Sequence, residues 1–191
     1  MREGIQLRTR TERMAATSDD SGKKKYIEGY FIVFDEYYEF APECYEMFDN
    51  TSADDTLSDD VRALINHDTT LVLGRTKANT ITLEKRERGI WGRIEINEND
   101  HDAMSLYARV QRGDVDQCSC GFEIIDEVVE MRDGKRVWVI KKIKLYEISC
   151  CTFPAYETTG ISARPKSEAV EKLRQYRSFK ERMEERIKKW H

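Results

Sequence analysis

Three side chains in this sequence have the types that acyl transfer requires: a base, a nucleophile and an orienting acid. His67 lies in Leu64-Ile65-Asn66-His67-Asp68, between a short apolar segment and the extended run Leu71–Leu73. Ser119 lies in Gln117-Cys118-Ser119-Cys120-Gly121-Phe122. A small hydroxyl at the start of a strand, with glycine close behind, leaves room for a substrate backbone and for N–H donors, and acyl transfer needs both a nucleophile and an anion-stabilising pocket. Glu147 lies in Leu145-Tyr146-Glu147-Ile148-Ser149, near the end of the last long extended run. A period of two puts Glu147 on the same face as Leu145. An inward acid there is costly unless paired, by Arg or Lys or by an imidazole. Singly, each residue has a structural reading: a loop histidine, a small core-facing serine, a salt-bridged glutamate. As a set they supply base, nucleophile and acid, each at the edge of a strand.

Other chemistries fit less well. Cys118 and Cys120 could offer a thiol nucleophile, but alternation puts them on the face opposite Ser119. Cys118, Cys120, Cys150 and Cys151 could bind zinc, yet they lack the C-x-x-C spacing of such sites. The His67-Asp68 pair suits a metal phosphohydrolase only with further histidines, and the chain has just His101 and the terminal His191 besides. No metal or cofactor is expected.

The elements that must position these residues are mostly strands. Tyr26–Phe34, Tyr37–Phe48, Leu71–Leu73, Thr80–Glu84 and Ile90–Ile96 read as extended, with a tight connection at Glu87-Arg88-Gly89. Asn50–Asp60 is polar and reads as a loop. Ala103, Leu106, Tyr107 and Val110 then change the period to that of a helix over about 100–112, with Asn99 as N-cap and Gly113 as stop. Cys118–Met131 and Arg136–Ile148 are long extended runs joined through Asp133-Gly134, a favoured hairpin turn, and Pro154 ends the last run. Ser167–Trp190 has apolar residues spaced by three or four and reads as an amphipathic helix beyond a hinge at Ala163-Arg164-Pro165-Lys166. The expected fold class is α+β, mainly β: a closed or nearly closed antiparallel β-barrel with an internal helix and a C-terminal amphipathic helix.

Composition limits the remaining classes. The 191 residues are 36% charged, against about 25% for an average globular chain. The 7 Phe, 3 Trp and 9 Tyr can still build a core. No apolar run approaches the ~18 residues of a membrane span, and the N-terminal stretch lacks the apolar region of a secretory signal. Five cysteines cannot all pair internally, which fits a reducing compartment. Net charge is −4 but unevenly distributed. Residues 1–25 carry seven Lys/Arg against four acids, residues 164–191 carry ten against five, and the body between them is strongly acidic. The domain expectation is a flexible basic arm over 1–25, a barrel over 26–163 and a basic helical tail over 164–191. The basic ends are not by themselves an argument for nucleic-acid binding.

The order of several motifs resembles a known family. Asn66-His67-Asp68 is followed by Leu73-Gly74-Arg75, then Gly89 before the Ile90–Ile96 strand, Ser119-Cys120-Gly121-Phe122, and Leu145-Tyr146-Glu147-Ile148-Ser149 with Pro154-Ala155. This set, spanning roughly residues 26–162, resembles the HK97-type prohead (procapsid maturation) serine proteases of tailed bacteriophages. The resemblance implies a barrel related to herpesvirus assemblin and a serine endopeptidase. His67 and Ser119 match the family's catalytic pair, and Glu147 matches the acidic position preceding the Ser of the last strand. Asp68 is the rival for the third role, although neighbours on an extended chain point apart. Cys118, Cys120 and Tyr156 depart from the family's usual residues, and none of them removes a catalytic atom. The implied substrate is the capsid protein or its scaffold domain, with self-cleavage, inside the assembling prohead in the infected bacterial cytoplasm. The helical tail would dock to a protein partner. The competing reading is a non-catalytic procapsid scaffolding protein with a vestigial site.

Overall fold

A computed structural model describes residues 4–19, 22, 24–41 and 43–152. The strands are β1 (Ile5–Arg13), β2 (Ala15–Ser18), β3 (Lys25–Val33), β4 (Tyr38–Ala41), β5 (Cys44–Phe48), β6 (Arg62–Ile65), β7 (Asp68–Arg75), β8 (Ile81–Arg86), β9 (Gly89–Ile96), β10 (Gln117–Arg132) and β11 (Lys135–Cys151). One helix, α1 (His101–Arg112), falls between β9 and β10. The helix expected over Ser167–Trp190, the hinge before it and Pro154 lie outside the described residues. No helix among the described residues is long and apolar enough to cross a membrane.

The strands form two sheets, and neither closes into the expected barrel. One has seven strands in the order β1-β10-β11-β5-β4, with β6 on β11 and β7 on β6. The other is β2-β3-β9-β8, antiparallel throughout. The larger sheet is mixed, not antiparallel. The long strand β11 has β10 on one edge, while β5 and then β6 pair with its other edge, both parallel. Between those two pairings the loop after β5 bridges to β11, with Ile143 N donating to Ser52 O and Leu145 N to Thr56 Oγ1.

The stretch expected to be a free basic arm supplies β1 and β2. Its charged residues conceal a strand, because Arg8 is buried on β1 in an ion pair with fully buried Glu46 of β5. The helix matches its periodicity, with Ala103, Leu106, Tyr107 and Val110 buried and Gly113 closing it at φ 86°. Its N-cap is Asp100 rather than Asn99, and the Asp100 carboxylate accepts from the backbone of Asp102 and Ala103. The extended run expected over Leu71–Leu73 is longer in the structure, with β7 running from Asp68 through Gly74 to Arg75.

The core lies between the sheets. Phe31, Ile27, Ile90 and Ile94 of the smaller sheet share one cluster with Phe48, Phe122, Ile148 and Cys118 of the larger. Each fully buried Phe or Ile contributes about 1.5–3 kcal/mol. A side chain at Gly29 would collide with Cys118 Sγ, so the glycine permits close approach of the sheets at the base of β10. That face of β10 and β11 is therefore committed to packing, and chemistry is left to the other face.

Candidate active site

Ladder register decides which side chains share the outer face. Cys118 pairs with Cys150 and Cys120 with Ile148, all four in the core. Ser119 pairs with Ser149 and Gly121 with Glu147, so these four belong to the opposite face. A bulge makes this possible. Gly121 opposes Glu147 but Phe122 opposes Leu145, leaving Tyr146 as the extra residue. Leu145, Ile148 and Cys150 then point into the core while Glu147, Ser149 and Cys151 point away from it. The expectation that Glu147 shares a face with Leu145 is corrected, because one inserted residue reverses the alternation.

His67 reaches this face from a tight turn. Ile65 pairs with Asp68, leaving Asn66 and His67 as a two-residue connection with φ of 51° and 61°. Positive φ at both central positions is what a type I′ hairpin requires, and Asn and His tolerate it better than most residues. The turn is fastened to β11: Asn66 N donates to Cys150 O, Asn66 Oδ1 accepts from Thr152 N, and His67 N donates to Ser149 Oγ.

The structure brings Ser119, His67 and Glu147 into one line. Ser119 Oγ is 2.8 Å from His67 Nε2, and His67 Nδ1 is 2.7 Å from Glu147 Oε1. Ser119 is fully buried, while the His67 and Glu147 side chains keep a small exposure. A side chain at Gly121 would collide with Glu147 Oε1, so glycine leaves the space in which the carboxylate lies. Asp68 does not enter the line. Its carboxylate accepts from Thr70 N and Thr70 Oγ1 within its own strand, and those bonds hold its pKa below the usual range.

Two residues of the site were not singled out from sequence. Ser149 Oγ donates to Glu147 Oε2 at 2.6 Å, and Cys151 Sγ lies 3.6 Å from His67 Nε2. Both follow from counting by two along β11 from Glu147. Cys118 and Cys120 are buried in the core on the other face, so the thiol near the imidazole is Cys151. Burial disfavours the charged imidazole, but hydrogen bonds with Cys151 and then Glu147 outweigh it and raise the His67 pKa to about 9. Among the described residues no three His, Cys, Asp or Glu side chains are placed to hold a metal ion.

An acidic group on Nδ1 and a hydroxyl on Nε2 are what a neutral imidazole needs to take a proton from serine. Comparisons with known proteins give the family of the chain. The family model of the caudovirus prohead serine proteases matches residues 12–175. The chain belongs to that family. The prohead protease of Enterobacteria phage HK97 is 31% identical over 157 residues, covering 80% of this chain and 66% of that protein. The chain therefore spans just under two thirds of that prohead protease's length. Among solved structures, the bacteriophage T4 capsid assembly protease aligns with a TM-score of 0.50 at 12% identity, over 77% of this chain and 96% of the other. At 12% identity that likeness concerns the fold alone.

Proposed function

We propose that this chain is a serine endopeptidase that cleaves the scaffold or capsid protein, and itself, during prohead maturation inside the assembling particle of an infected bacterium. The observation that carries this reading is the continuous hydrogen-bonded line from Ser119 Oγ through His67 to Glu147. In the reaction, Ser119 Oγ attacks the scissile carbonyl carbon as its proton passes to His67 Nε2. The peptide C–N bond breaks as His67 returns that proton to the leaving amine, which leaves an acyl ester on Ser119. Water then attacks the ester with His67 again as base, releasing the acid and restoring the hydroxyl. Glu147 keeps the proton on Nδ1 and balances the imidazolium formed in each step. The basic tail 164–191 is assigned to docking on a protein partner.

Co-expression with the neighbouring capsid protein tests this. By intact mass, the wild type should truncate the capsid protein and itself, and Ser119→Ala should leave both whole. Wild-type processing by Ser119→Ala would overturn the assignment.

A further inference from the structure

We propose that Ser149 is the positioning residue of this site, a hydroxyl that fixes base and acid to each other. The inference rests on the Ser119–His67–Glu147 reading and concerns what holds that line rigid. Ser149 Oγ has one proton and lone pairs to spare, and the structure uses both kinds. The proton goes to Glu147 Oε2 at 2.6 Å, and a lone pair accepts the main-chain N–H of His67 at 3.2 Å. The other carboxylate oxygen holds His67 Nδ1 at 2.7 Å. The bonds therefore close a ring: His67 main chain to Ser149, Ser149 to Glu147, and Glu147 back to the His67 side chain. The histidine is gripped at two points, its backbone in an uncommon positive-φ turn and its ring.

The environment makes this ring matter. Ser149 is fully buried, so no bulk water replaces its hydroxyl if it is lost. Without it, Glu147 Oε2 loses the Ser149 donor, and the carboxylate plane is free to rotate. The His67 N–H loses its acceptor in the same change. The rival account is that position 149 needs only a small residue, since it lies directly across the ladder from Ser119.

The test uses the full chain and a fluorophosphonate probe, with Ser119 modification followed by intact mass between pH 6 and 10. Ser149→Ala should slow labelling by about tenfold or more, a size typical of misplacing catalytic groups. It should also move the acid limb of the pH profile to lower pH. Ser149→Thr and Ser149→Val are of equal size and differ in the hydroxyl, so they separate hydrogen bonding from packing even if Ser149→Ala folds poorly. Threonine should stay within about threefold of wild type while valine matches alanine. Equal rates for threonine and valine, or an unshifted limb in Ser149→Ala, overturn the proposal. An NMR titration of His67 in a Ser119→Ala background gives the same answer without activity. There, added Ser149→Ala should lower the imidazole pKa, and an unchanged titration counts against Ser149. A failure of the Ser119 assignment shows separately, as fluorophosphonate attached elsewhere.

Discussion

Ser119 Oγ and Cys151 Sγ face the same imidazole nitrogen, at 2.8 and 3.6 Å. Burial lowers the His67 pKa, while the bonds with Cys151 and Glu147 together raise it to about 9. An imidazole of that pKa is mostly protonated at neutral pH and cannot take the serine proton until it titrates. Cleavage or fluorophosphonate labelling should therefore climb about tenfold per pH unit from pH 7 and level off near pH 9. Cys151→Ala removes one raising contact and should shift the limb to lower pH, with faster labelling at pH 7; an unmoved limb would deny the thiol this part. The sign for stability is the reverse of that for activity. A folded pKa above the unfolded value of 6.5 adds stability that is complete below that value and lost as pH rises through about 9. At this scale the chemical types of His67, Ser119 and Glu147 offered a base, a nucleophile and an acid, and it was the family resemblance, not type alone, that joined them into one candidate set. Ser149 and Cys151 were hidden because their roles depend on which face they occupy.

That face is set by elements whose signals differ in strength. Asp133-Gly134 announces the β10–β11 hairpin, and both residues take the positive φ that the turn requires. Asn66-His67 makes a turn of the same kind without the glycine that would advertise it. The bulge at Tyr146 has no sequence mark, yet it alone turns Glu147 out of the core. Gly121 is the counterpart of that bulge on β10. Its missing side chain holds the Glu147 carboxylate, and the obstructing atoms are the end of a flexible side chain rather than backbone. Gly121→Ala should therefore fold and still lose activity, because the carboxylate must swing away from Nδ1. A loss of about 100-fold in kcat/KM is expected, the size of a displacement near 1 Å. Circular dichroism with urea unfolding should show a midpoint close to wild type. Full activity in Gly121→Ala would mean that Glu147 holds no working position.

For the whole molecule, the informative departure is the N-terminal strand. Composition made residues 1–25 a solvated basic arm, because Arg residues ordinarily mark surface and the segment offers little apolar periodicity. The fold instead pairs β1 with β10, setting Thr9 directly opposite Ser119, and ties it across the sheet by the Arg8–Glu46 pair. Arg8 Nη2 also donates to Glu46 Oε2 at 3.0 Å, and its guanidinium lies 5.9 Å from the centre of the Phe122 ring. Such a pair is costly to break from one side, since the remaining charge stays buried. Arg8→Ala or Glu46→Ala should cost about 3–5 kcal/mol. That is a large share of the ~5–15 kcal/mol that holds a domain of this size together. Replacing both, as Arg8→Met with Glu46→Leu, leaves no orphaned charge and should recover most of the loss. Deleting residues 1–24 should be worse than either single change, because it strips the outer ladder from the strand that carries Ser119. Urea midpoints order these variants. An N-terminal deletion as stable as the full chain would restore the arm reading and remove β1 from the support of the site.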